Sequence, residues 1–143
     1  MEWLSLAVFT SVGYGLYNFF IKAASDKINP LLATFYLTLT AAIVSGIALL
    51  VLRSLNLLPA VHSTRSGVAL VIAAGVATGV ADLLYFIMFA RGQSLNVGLP
   101  FALGLATVLA ITLSMIFLHE TLTITKTLGI IITLVGIVIL AKY

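Results

Sequence analysis

The stretch "AAGVATGVADLLYFIMFA", residues 73–90, decides what kind of chain this is. It is apolar almost throughout, yet Asp82 sits well inside it. A water-soluble helix would show a polar face at a 3.6-residue period, and this stretch has none. Composition extends the reading to the whole chain. Of its 143 residues, 62% are hydrophobic and 8% are charged, where soluble domains carry about 25% charged residues. Mean hydropathy is +1.26. The expected class is an all-α integral membrane protein, folded as a single domain over residues 1–143. The absence of cysteine excludes a disulfide framework and a thiol nucleophile. A net charge of +3, spread over loops, leaves no basic surface for nucleic acid.

A bilayer core of about 30 Å takes about 20 apolar residues as a helix. Five segments qualify as transmembrane helices: about Trp3–Lys22, Pro30–Leu52, Gly67–Ala90, Val97–Leu118 and Lys126–Lys142. The last lies at the lower length limit. Pro30 suits the first position of a helix, where its missing N–H is not needed. "LLPAVHSTRSG", with Pro59, Ser63, Ser66 and Gly67, reads as a loop, and Thr123 reads as a cap for the last helix. The first helix lacks a basic leader and has only a weak small-residue cleavage site in "KAAS", so it is expected to remain in the membrane.

Basic residues in short loops set orientation. Arg53, Arg65 and Lys126 fall on one face, and Lys22, Lys27, Arg91 and Lys142 on the other. Four against three is almost no bias, so insertion in both orientations is expected.

Small residues permit close helix contact in lipid. Gly75 and Gly79 form a GxxxG pattern in helix 3, and both share a face with Asp82 and Tyr85. Gly98, Ala102, Ala106, Ala110 and Ser114 form a ladder in helix 4, and Gly129 and Gly136 stand seven apart in helix 5. Ser11, Tyr14, Asn18 and Lys22 make one stripe along helix 1, suited to a hydrated cavity or to interhelical hydrogen bonds, with Lys22 able to snorkel to the interface. Thr34, Thr38 and Ser45 in helix 2 can satisfy their own helix carbonyls.

A charged aspartate at mid-bilayer costs about 2.5–3.5 kcal/mol on insertion scales. Desolvation favours its neutral form, so it would ionise only when wetted or when a cation approaches. That is the behaviour of a proton-coupled exchange site. Asp82, Tyr14, Asn18, Tyr85, Ser11 and Lys22 are the expected substrate and proton site. A protonated Asp82 donating across a helix interface is the structural alternative. His62 and His119 lie in loops. His119 and Glu120 are sequence neighbours and cannot by themselves clamp a metal. No Ser-His-Asp set, phosphate loop or carboxylate pair is present. No enzyme activity, metal or cofactor is expected, and Glu120 reads as a structural turn residue.

"NVGLPFALGLATVLAITLSMIFLHETLTITKTLGIIITLVGIVIL", residues 96–140, resembles the drug/metabolite transporter superfamily in Glu120, Leu122 and Thr123 followed by Gly129 and Gly136. "GYGLYNFFIKAA" resembles its Gly…Asn…Lys pattern at Gly15, Asn18 and Lys22. The resemblance implies a single five-helix EamA-like half-transporter unit. Related proteins carry two such units in inverted orientation, so one unit implies an inverted-repeat-like dimer. The four-helix small multidrug resistance proteins, which are similar, work as antiparallel dimers. They place a glutamate eight residues before the helix 1 lysine, where this chain has Tyr14. Their proton mechanism therefore does not transfer. The resulting expectation is a secondary transporter that exports a small molecule by alternating access in a prokaryotic cell membrane. It would work as an antiparallel homodimer, or a heterodimer with a paralogue, coupled to protons. The alternatives are a flippase subunit for a lipid-linked sugar and a non-transporting accessory subunit.

Overall fold

A computed structural model describes residues 2–57 and 63–142. Pro59 and His62 therefore lie outside the described residues. The described residues form five helices: α1 (Glu2–Ala24), α2 (Pro30–Ser54), α3 (Arg65–Ala90), α4 (Leu95–Phe117) and α5 (Ile124–Lys142). No strand occurs among the described residues. Helices α1 to α4 are long and apolar enough to cross a membrane. The apolar part of α5, Ile124–Leu140, is shorter, so the fifth expected span falls just below that length.

The helix ends follow local chemistry. Asn29 caps α2 by accepting from the Leu31 N–H at 2.9 Å, with Pro30 at the first helical position. Thr64 caps α3 by accepting from the Gly67 N–H at 3.1 Å. That cap starts the helix at Arg65, two residues before the expected start at Gly67, so Arg65 and Ser66 of the expected loop are helical. Ser94 occupies the N-cap of α4, which likewise begins earlier than expected. Thr123 accepts from the Lys126 N–H at 3.4 Å at the start of α5, as expected. Beyond α2 and α4 the chain reverses through Asn56 and His119, with φ of 53° and 54°. Asparagine tolerates this left-handed conformation far better than most residues.

The hydroxyls of α2 behave as its sequence suggested. Thr34 donates to the Pro30 carbonyl at 2.9 Å, Thr38 to Thr34 at 3.0 Å and Ser45 to Ala41 at 2.9 Å. In hydrocarbon each unpaired polar group costs several kcal/mol, so local back-bonding lets a hydroxyl sit in a span.

The chain divides into two compact units, Met1–Phe19 with Gly92–Tyr143, and Phe20–Arg91. In the second unit α2 packs on α3. Its buried residues are Ile21 and Ser25 at the end of α1, Ala33 at the start of α2, and Phe86 and Phe89 at the end of α3. In the first unit α4 packs on α5. The contact there depends on Gly104, because a Cβ at that position would collide with Ile137 Cδ1. Elsewhere the helices turn large apolar side chains outward, among them Phe9, Leu70, Ile132 and Phe117. At most 11% of any spanning window is buried within the chain. In water such a surface would drive aggregation; hydrocarbon covers it without cost.

Candidate functional site

In the first unit, α1 and α4 bound a groove of ≈ 630 Å³. Ser11, Tyr14 and Asn18 line it from α1, and Leu103, Ala106 and Ala110 from α4. The 3-4 spacing of the helix 1 stripe puts all three polar side chains on one wall. Asn18 is buried, at 3% exposure, and its Nδ2 donates to the Tyr14 carbonyl at 2.6 Å. Ser11 donates to its own helix, to the Ala7 carbonyl at 2.8 Å. Tyr14 is exposed and meets Tyr17 edge-on, with ring centroids 6.2 Å apart. The groove thus has one polar wall and one apolar wall, the pattern of a small-molecule site.

In the second unit, Asp82 is half-buried on α3, while Ala81 and Leu84 beside it are exposed. The more covered face of α3 continues through Tyr85, Phe86 and Phe89. Tyr85 meets Phe89 edge-on, with centroids 4.6 Å apart. Lys22 Nζ lies 5.5 Å from the centroid of the Phe89 ring and donates to the Phe89 carbonyl at 3.5 Å, the long limit of a hydrogen bond. A cation at the last carbonyls of a helix is favoured by the helix dipole. Lys22 therefore ties the end of α1 to the end of α3. Ser11, Tyr14 and Asn18 share the groove, and Tyr85 and Lys22 share Phe89.

A second cavity, of ≈ 500 Å³, lies between α4 and α5. Glu120 and Lys126 stand at its turn end, Ser114 and Gly129 along its walls, and Gly104 and Thr133 at its far end. Ser114 Oγ donates to Glu120 Oε2, and the Glu120 N–H returns to the Ser114 carbonyl at 3.4 Å. These two bonds fold the chain back after His119. The glycines expected to pack helices stand open within the chain. A Cβ at Gly75, Gly79, Gly129 or Gly136 would meet nothing within 4 Å. Close contact falls instead on Gly104, which sequence reasoning passed over in favour of the ladder from Gly98 to Ser114. Gly98 is buried, Ala102 half-buried and Ala106 exposed to the α1 groove. The spacing that marks the α5 side of α4 is Gly104, Thr107, Ile111, Ser114, three, four and three residues apart.

Comparison with known proteins agrees with this architecture. Residues 1–142 match the model of the EamA-like transporter family. An uncharacterized protein of Methanocaldococcus jannaschii is 25% identical over 136 residues, covering 95% of this chain and 93% of its own. No solved structure is significantly similar to the chain. The chain belongs to the EamA-like transporter family, within the drug/metabolite transporter superfamily. Its length fits a single unit, that is, half of a transporter. Membership points to a membrane transporter.

Proposed function

We propose that the whole chain, residues 1–143, acts as one transmembrane unit of a secondary active transporter. Two copies of opposite polarity would form an antiparallel homodimer in the cell membrane and export a small molecule by alternating access. The observation that carries this reading is an odd number of helices whose loop charges favour neither face, four basic residues against three. With α5 crossing as well, five spans put the two ends of the chain on opposite faces. A homodimer of such units acquires an inverted mate only if both orientations are made.

Substrate would bind near the midplane, against Tyr14 and Asn18 of the α1–α4 groove and against Tyr85. Asp82 is the carboxylate that takes a proton or substrate in turn. Its place inside a span, on the half-buried face of α3, supports the assignment, because ionisable groups within spans mark ion and substrate pathways. The structural turn role of Glu120 is supported by its two bonds to Ser114.

Reporter fusions at the C-terminus test the polarity: activity on both sides of the membrane is expected, and activity on one side alone overturns the antiparallel homodimer. Proteoliposomes test the chemistry. Substrate-dependent proton flux supports the carrier. Lipid-linked sugar movement without proton flux assigns a flippase, and neither flux with a tightly held partner assigns an accessory subunit.

A further inference from the structure

The α4–α5 cavity is not used by the transport reading, and its chemistry is different from that of the α1–α4 groove. The hydroxyls of Thr107 and Thr133, the two threonines that line it within the helices, are both spent on their own helix carbonyls. Thr107 donates to the Leu103 carbonyl at 2.8 Å and Thr133 to the Gly129 carbonyl at 2.9 Å. What remains along the walls is methyl groups, the Ile111 and Ile130 side chains and the bare backbone of Gly129. From Lys126 to Thr133 this trough runs about 10 Å at the helical rise. Only the turn end carries charge, with one carboxylate at Glu120 and one ammonium at Lys126.

We infer that this cleft seats one membrane phospholipid with an ethanolamine headgroup, its acyl chain lying in the trough between α4 and α5. Charge complementarity selects the head. The ammonium of Lys126 has three donors for a phosphate. The Glu120 carboxylate gives one oxygen to Ser114 Oγ and keeps lone pairs for the N–H donors of a primary ammonium. A choline head has no such donors, and a glycerol head has no cation. The apolar trough selects a lipid over a free headgroup. The cleft opens beside the turn between α4 and α5, where a span meets the headgroup layer, so a lipid can enter sideways with its head at the right depth.

The test uses the full chain purified in detergent, with native mass spectrometry to count bound lipid and thermal unfolding to read protection. Phosphatidylethanolamine should bind about tenfold more tightly than phosphatidylcholine or phosphatidylglycerol of the same acyl chains, the scale of one exposed charge-assisted hydrogen bond. Glu120→Gln should erase the preference for ethanolamine over choline. Lys126→Met should weaken binding of all three lipids. Gly129→Leu should abolish lipid binding with helicity retained, because a side chain at Gly129 has free space to occupy and occupies it in the trough. Equal binding of the three lipids by the unaltered chain overturns the proposal. So does binding of soluble glycerophosphoethanolamine as tightly as the lipid, which would make the site one for a free headgroup. Cross-linking of two copies through Gly129→Cys, with no protection by any lipid, assigns the cleft to a second copy and also overturns it. None of these readouts depends on transport, so failure of the transporter reading and failure of this one are separable.

Discussion

Asp82 and Glu120 are both carboxylates on a chain with almost no charge, and the fold treats them in opposite ways. Asp82 lies two turns inside the end of α3, half-buried, on the face that leads to Tyr85 and Phe89. Glu120 lies past the end of α4, exposed, held by the Ser114 hydroxyl and returning its own N–H to the Ser114 carbonyl. One acid is placed inside a span, on the covered face of its helix. The other is placed past a helix end, where it closes a turn. In a membrane protein, depth rather than residue type separates a candidate coupling group from a structural one.

The sharpest way to break this contrast is at Asp82. Asp82→Asn keeps the shape and removes titration, so proton-driven transport in proteoliposomes should fall to background while downhill exchange persists. Asp82→Glu should keep part of the proton-driven rate. Undiminished proton-driven transport by the asparagine variant would remove Asp82 from the mechanism. Next in size comes the α4–α5 contact that frames Glu120. Gly104→Leu should lower stability by about 1–3 kcal/mol, the usual cost of overpacking, read as a fall in the thermal midpoint in detergent. Combining it with Ile137→Ala should give a smaller loss than the two single losses added, because the alanine removes the colliding Cδ1. Additive losses would show that the two side chains do not meet.

Smaller effects belong to the turn itself. Ser114→Ala removes the donor to Glu120 and should cost up to about 1 kcal/mol, discounted because the carboxylate is exposed. A midpoint unchanged in Ser114→Ala would mean that the turn holds without that bond. His119 sits at φ 54°, a left-handed conformation that glycine adopts without strain. His119→Gly should raise stability by about 0.5–1 kcal/mol, a gain of a few degrees at most in the same melts. A loss would show that the imidazole makes a contact worth more than the strain it carries.

Much of the architecture is legible from local chemistry. Five apolar runs, Pro30 at a helix start and Thr123 as a cap all follow from lengths, periods and missing or offered N–H groups. The covered face of Asp82 is legible too, from its spacing to Tyr85. The side of α4 that meets α5 is less so. The small-residue ladder from Gly98 to Ser114 is the more conspicuous pattern, yet the tight approach is at Gly104. In lipid any small residue tolerates a neighbour, so spacing alone does not say which one receives it. The same limit hides the α4–α5 cavity, whose two stripes, Gly104 to Ser114 on α4 and Lys126 to Thr133 on α5, each read as an ordinary helix face until the helices meet.

By itself, the sequence determined that the chain resides in hydrocarbon, how many helices it makes, and that a single acid lies deep within a span. Those properties are sums over residues or periods along one helix, and they need no knowledge of neighbours. Tertiary structure decided that Gly104 receives Ile137, that Lys22 closes on the end of α3, and that Glu120 and Lys126 share the rim of one trough. The first two pair residues remote in the chain, and the third depends on α4 and α5 meeting to form the trough. Which side chains meet there depends on how each helix is rotated about its axis, and uniformly apolar faces leave that rotation to packing.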